Sequence, residues 1–213
     1  MNQRSEIIME VCLALSDGNR EEGRGLILRE YPFDPWARPR EVSTKARSPV
    51  QKVLDAREET KTFWTEDHAT KMRVFARDGF INRFTGELLV FPAALRLLSR
   101  EFPKEMPYQQ AWRVGEVHLA YYDLYACANK VVALSRGGKE DGSNLITTTM
   151  PYILARSDST VEEVGWRLTR EGYVDEWDGM SSWYVEYVKE HPELRNENYF
   201  NMWFNAAKSV LEL

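Results

Sequence analysis

Apolar residues recur at helical spacing close to the start of the chain. Ile7, Ile8, Val11, Cys12 and Leu15 share one face over residues 5–16. Ser5 reads as the cap of that helix and Asp17-Gly18-Asn19 as its stop. The periodicity then breaks. Residues 19–48 hold many arginines and the prolines Pro32, Pro35 and Pro39, which predicts an irregular arm with only short helix or strand. Tyr31, Phe33 and Trp36 are the residues expected to pin this arm to the body. Ser48-Pro49 opens a predicted helix running to about Glu59, because proline suits the first helical position.

From Met72 to Phe91 the pattern predicts strand, turn, strand, with Val74 and Phe75 before Arg77-Asp78-Gly79-Phe80 and Leu88-Leu89-Val90-Phe91 after the turn. Pro92 begins a helix carrying Leu95, Leu97 and Leu98. Val117, Leu119 and Tyr121 alternate with Glu116, His118 and Ala120, which predicts a strand near 116–122. A second strand is expected near 129–133 and a helix over 145–156, in which Pro151 sits early. Ser159-Thr160-Val161-Glu162-Glu163 has the spacing of a capping box, so another helix should reach Leu168. The last third reads as two helices, one with Trp183, Val185, Tyr187 and Val188 and one with Tyr199, Phe200, Trp203, Phe204, Ala207 and Leu211. The aromatic stripe from Tyr199 to Phe204 is core material and a candidate homodimer contact.

Composition narrows the class. The 213 residues, 43% hydrophobic with seven Trp, ten Tyr and nine Phe, suffice for one large domain. No apolar run reaches the roughly 18 residues of a membrane span, and Glu6 and Glu10 spoil a signal peptide, so the chain reads as cytoplasmic with no membrane partner. Cys12 and Cys127 cannot form a disulfide framework or, alone, a four-ligand zinc site. A net charge of −5 argues against tight non-specific DNA binding, since phosphate neutralisation supplies most of that affinity. Arg20, Arg24, Arg29, Arg38 and Arg40 with Trp36 form an arm able to grip phosphate and stack a base, although such interleaving more often marks a solvated segment.

One stretch carries a motif. Asn129-Lys130-Val131-Val132-Ala133-Leu134-Ser135-Arg136-Gly137-Gly138, followed by Asn144-Leu145, resembles the signature of the HNH (ββα-metal) endonucleases. That signature reads Asp-His, two hydrophobics, a proline, three residues, Gly-Gly and then Asn-Leu. Arg77-Asp78-Gly79-Phe80 and the text to Gly86 also look like the zinc-knuckle strand of many such enzymes, with Asn82 and Thr85 where they have cysteines. The resemblance spans roughly residues 71–168. It implies an α+β fold with a ββα-metal centre embedded in a mostly helical single-domain protein. Residues 1–70 form the N-terminal helical region with its Arg/Pro-rich arm, 71–168 the HNH-like region, and 169–213 the C-terminal helices packed on the same body.

The resemblance also implies a lost chemistry. Asn129 stands at the metal-binding Asp, Lys130 at the general-base His, and Ile153 at the ligand on the helix. An uncharged amide is a weak ligand for a hard cation, a lysine near neutrality repels it, and an isoleucine has no donor. The scaffold positions Arg136, Gly137, Gly138, Asn144 and Leu145 keep the family type, and Arg156 stands where the family often has Lys. Arg136 and Arg156 are therefore the implied nucleic-acid contacts.

The first expectation is an eroded, pseudoenzyme-like HNH relative with a non-hydrolytic binding or regulatory role, its partner a nucleic acid or a protein. The second is an active nuclease using a displaced base, His118 being the candidate. The third is a nuclease scaffold reused for small-molecule chemistry through Lys130 or Cys127, since a thiolate beside an ammonium is a nucleophile and a buried lysine can form an imine. No cofactor is expected, a divalent metal such as Mg²⁺ entering only with the nuclease alternative. Asp78, Glu140 and Asp141 read as turn and solubility residues.

Overall fold

A computed structural model of the chain describes residues 3–44 and 67–212. The helix expected over 48–59 lies outside the described residues. Among them the architecture is α+β and about half helical, with helices α1 (Gln3–Ser16), α2 (Arg20–Glu30), α3 (His68–Asp78), α4 (Pro92–Glu101), the single turn α5 (Ala120–Asp123), α6 (Met150–Arg156), α7 (Ser181–Glu190) and α8 (Asn198–Leu211). Strands β1 (Cys127–Lys130) and β2 (Leu145–Thr148) form one small antiparallel sheet. No helix among the described residues is long and apolar enough to cross a membrane.

The arm is more ordered than its composition suggests. Asn19 accepts a hydrogen bond from the Glu22 amide (3.2 Å), and Glu21 and Glu22 occupy the first turn of α2 with Arg29 in the last. This is the charge order a helix dipole favours. The prolines begin only at Pro32, after the helix has ended. Ser5 is not a cap but a buried residue inside α1.

Met72, Val74 and Phe75 belong to a helix and not to a strand. Asp67 caps α3 through the Thr70 amide and Gly79 closes it, so the apolar positions 72, 74 and 75 lie with Lys71 on the buried side of the helix. Of the expected hairpin only the Ile81–Leu88 bridge forms. Residues 145–148, expected to begin a helix, are instead β2, and their β-branched Ile-Thr-Thr text suits a pleated surface better. The helix starts after them, with Pro151 in its first turn. The capping box at Thr160 and Glu163 closes reciprocally (2.9 and 3.2 Å) but holds a turn and no helix. Trp166, just beyond, is drawn onto Phe84 (4.9 Å) and Tyr152 (5.4 Å). No strand forms at 116–122, where the chain turns into α5.

The helices pack around an aromatic cluster. Phe91 meets Tyr184 edge-on at 5.3 Å and Trp203 at 5.1 Å, and Phe75 stacks on Trp203. The Tyr184 hydroxyl donates to the Phe200 carbonyl (2.8 Å), joining α7 to α8. Phe200, Trp203 and Phe204 are all buried in this core, so the stripe expected as a dimer contact is covered by the chain's own helices. The sheet lies against α3, where the Thr147 hydroxyl reaches the Val74 carbonyl (3.3 Å).

Candidate functional site

β1, a fourteen-residue connection, β2 and α6 follow one another directly, with Cys127 opposite Thr148 and Lys130 opposite Leu145. One side chain shapes the connection. Asn144 accepts from the Val132 amide (2.9 Å) and donates to the carbonyls of Val132 and Lys139 (both 2.8 Å). Its own carbonyl takes the Val131 amide (2.7 Å). The two glycines of the motif are needed for different reasons. Gly137 has φ +81°, a conformation L side chains resist, and a Cβ on Gly138 would collide with the Val132 carbonyl and press on the Asn144 amide. No family model, curated protein or solved structure matches the chain.

Arg156 is 2% exposed and turned inward. Its guanidinium donates to the carbonyls of Lys130, Val131 (3.4 Å) and Ser159 (2.8 Å), fastening α6 to the end of β1. It is a structural clamp out of reach of a phosphate. Arg136 is exposed on the loop and paired with Glu163 at 2.9 Å. The arm arginines are similarly engaged within the chain: Arg20 with Glu101 (2.6 Å), Arg24 with Glu105 (3.1 Å), Arg40 with Glu87 (2.9 Å) and Arg38 with backbone carbonyls. Trp36 is 80% exposed and pins nothing, whereas Tyr31 is buried.

Asn129 and Lys130 are half-buried at the end of β1, and Ile153 is buried in α6. The Asn129 side-chain nitrogen is enclosed without a hydrogen-bond partner. Among the described residues no three His, Cys, Asp or Glu side chains gather closely enough to hold a metal ion. An amide, an ammonium and an aliphatic chain do not fit a divalent cation, and no metal-dependent step follows from these residues.

Next to the hairpin lies a polar joint that the sequence did not reveal. Asp78, expected as a solvated turn residue, is fully buried. It accepts from Arg77 (3.0 Å), Arg83 (2.8 Å) and the Thr147 amide (2.7 Å). Arg77 continues to the carbonyls of Gly142 (3.0 Å) and Leu145 (2.6 Å). The turn beginning at Asn82 closes by hydrogen bonds: Asn82 accepts from the Phe84 amide (3.1 Å) and the Thr148 hydroxyl (3.1 Å), and the Thr85 hydroxyl donates to Glu87 (3.0 Å). Asp141 does behave as a turn residue, accepting from the Ser143 amide at 2.8 Å.

His118 is completely buried between the arm and α5. Its Nδ1 accepts from the Ala120 amide (3.1 Å), which leaves Nε2–H to donate to the Tyr31 carbonyl (2.8 Å). Burial, opposed by the bond to Tyr31 and aided by the nearby Arg4 charge, pushes its pKa down to about 4. Both ring nitrogens are thus engaged by the backbone. Cys127 is likewise buried, and burial drives its thiol well above the usual range, against a smaller pull from Lys71. That is the opposite of an activated nucleophile. His191 stacks on Tyr187 (4.1 Å) and bonds its carbonyl.

Cys127 does line a cavity of about 630 Å³. The wall is drawn from α3 (His68, Lys71, Phe75), α4 (Arg96), the segment around Tyr108, β1 and α8 (Tyr199, Trp203). Sequence reading missed Lys71, Arg96 and Tyr108 and took Trp203 only as core, because these residues are spread over the chain and share no motif.

Proposed function

We propose that this protein is a relative of the HNH endonucleases whose catalytic centre has been eroded, and that it binds rather than hydrolyses. The observation that carries this reading is Asn144. It precedes β2 and ties the connection together through Val132 and Lys139, as befits a scaffold position that keeps the family type. Support comes also from the order strand, loop, strand, helix, and from the hydrogen-bonded turn at Asn82–Thr85 where relatives carry cysteines. Within that scaffold Asn129, Lys130 and Ile153 supply neither an anionic ligand nor a general base near neutrality.

Two complementary measurements test the proposal. Plasmid incubated with the protein and Mg²⁺, Mn²⁺, Zn²⁺ or Ni²⁺ is expected to remain intact. The triple variant Asn129→Asp, Lys130→His, Ile153→His, checked for folding by circular dichroism, is expected to gain a Zn²⁺-dependent rise in melting temperature that the parent lacks. Cleavage by the parent that survives repurification and disappears with Lys130→Ala or His118→Gln sinks the reading. So does a folded triple variant that ignores zinc.

A further inference from the structure

A second cavity shares no residue with positions 129, 130 and 153. It holds about 230 Å³ between the arm, α5 and the start of α6. Most of its charge is already matched. Arg40 donates to both oxygens of Glu87 (3.1 and 2.9 Å), Arg38 folds onto the carbonyls of Trp36 and Ala37 (2.9 and 3.1 Å), and Arg4 pairs with Asp123.

Two oxygens are left over. The bonds that reach Asp123, from Arg4 and from the Tyr31 hydroxyl, both end on Oδ2. Its Oδ1 takes no bond among the described residues and is not enclosed, the side chain keeping 11% of its surface. Burial raises the Asp123 pKa against the pull of Arg4 and Tyr31. Thr149 is 3% exposed and stands at the N-cap of α6, yet its hydroxyl does not cap that helix. A threonine there ordinarily accepts from the second or third helical amide. Here the second residue is Pro151, which has no N–H, and the Tyr152 amide goes to the Thr149 carbonyl (3.1 Å). The hydroxyl is unpartnered among the described residues and is not enclosed, and Thr149 lines the cavity.

Charge and size decide what fits. Arg4, Arg38 and Arg40 repel a cation, and the open oxygen of Asp123 repels an anion. A neutral hydroxyl suits both oxygens, because it donates to a carboxylate and can take either role with a threonine. Leu119, Pro151 and the rings of Tyr122 and Tyr152 supply apolar wall for C–H groups. The volume is below that of drug-sized sites and suits one small ring.

We propose that this cavity binds a single neutral hydroxylated ring of the monosaccharide class, one hydroxyl donating to Asp123 Oδ1 and a neighbouring one bonding the Thr149 hydroxyl. Glucose, galactose and mannose, each added to the full chain, are the probes, followed by saturation-transfer NMR and calorimetry. Protonated glucosamine and glucuronate carry the same ring with a positive or a negative charge. Cyclohexanol carries a ring with one hydroxyl.

At least one neutral sugar should bind 1:1 with a Kd on the order of 1 mM, the strength a molecule of this size reaches, and the three comparators should be weaker by about fivefold or more. Thr149→Val keeps the shape and should weaken that sugar by about fivefold or more. It should leave the urea midpoint unchanged, since the hydroxyl bonds nothing within the described protein. Asp123→Asn is the second variant should Thr149→Val not fold, and should weaken the sugar by about threefold or more. The methyl glycoside of the sugar that binds separates two sources: retained affinity fits the end of a glycan, lost affinity a free sugar. No saturable binding of any of the three sugars at about 100 mM overturns the proposal. Tighter binding of either charged form, cyclohexanol matching the sugar, or unchanged affinity in a folded variant does the same.

Discussion

His118 shows how far a single residue's surroundings can reverse the role its chemistry suggests. In the sequence it is the one histidine within a patterned apolar stretch, and so the natural candidate for a base. In the fold it joins the arm to α5 through both ring nitrogens and sits edge-on to Tyr31. Because its folded pKa is near 4 against an ordinary value of 6.5, the unfolded chain holds more protons between those limits. Its contribution, on the order of 3 kcal/mol, is complete above about pH 6.5 and is lost as pH falls through about 4. Arg4, Tyr31 and Asp123 face the same spot, and burial raises the Asp123 pKa, so some titration from that carboxylate is superimposed. Urea unfolding of the parent between pH 7 and 4 should show this steep loss, and His118→Gln should flatten it. A variant with the parent's slope would assign the acid sensitivity elsewhere.

At the scale of elements, the connection between β1 and β2 is held by side chain to backbone bonds and has little regular structure of its own. Asn144→Ala removes the acceptor for one amide and the donor for two carbonyls. The expected loss is about 2 kcal/mol, read as a lower urea midpoint with an unchanged slope. The Gly-Gly and Asn-Leu spacing made this loop legible in the sequence, because its constraints are local. Helices α1, α4, α7 and α8 were legible too, since each repeats its apolar positions over several turns. The sequence misled at Met72–Phe75 and at Leu145–Thr148. Short apolar runs do not distinguish helix from strand by period alone, and there the caps at Asp67 and Gly79 and the partner strand decided. Arg156 was misread for another reason: nothing local tells a surface arginine from one whose acceptors are carbonyls supplied by tertiary packing.

The whole molecule is knit by residues whose partners are distant in sequence, and these are what local pattern cannot show. Asp78 is the clearest. Its carboxylate links the end of α3 to β2 and to Arg83, which in turn reaches the Thr169 carbonyl (2.9 Å). Replacing it by alanine leaves Arg83, 8% exposed, without its buried counter-charge and should cost about 3–5 kcal/mol by equilibrium denaturation. The cavity lined by Cys127 is the same phenomenon, assembled from helices and a strand that meet only in the folded state. The arm arginines belong at this scale as well, since Arg20, Arg24 and Arg40 pair with Glu101, Glu105 and Glu87, acid residues far along the chain.

The position of Asp78 also bears on the order in which the chain assembles. Its bond to Thr147 closes a separation of 69 residues, a long excursion whose entropic cost must be met before the contact gives anything back. Such a contact belongs late on the route to the native state. In stopped-flow mixing, Asp78→Ala should therefore hasten unfolding while leaving the refolding rate nearly as it was.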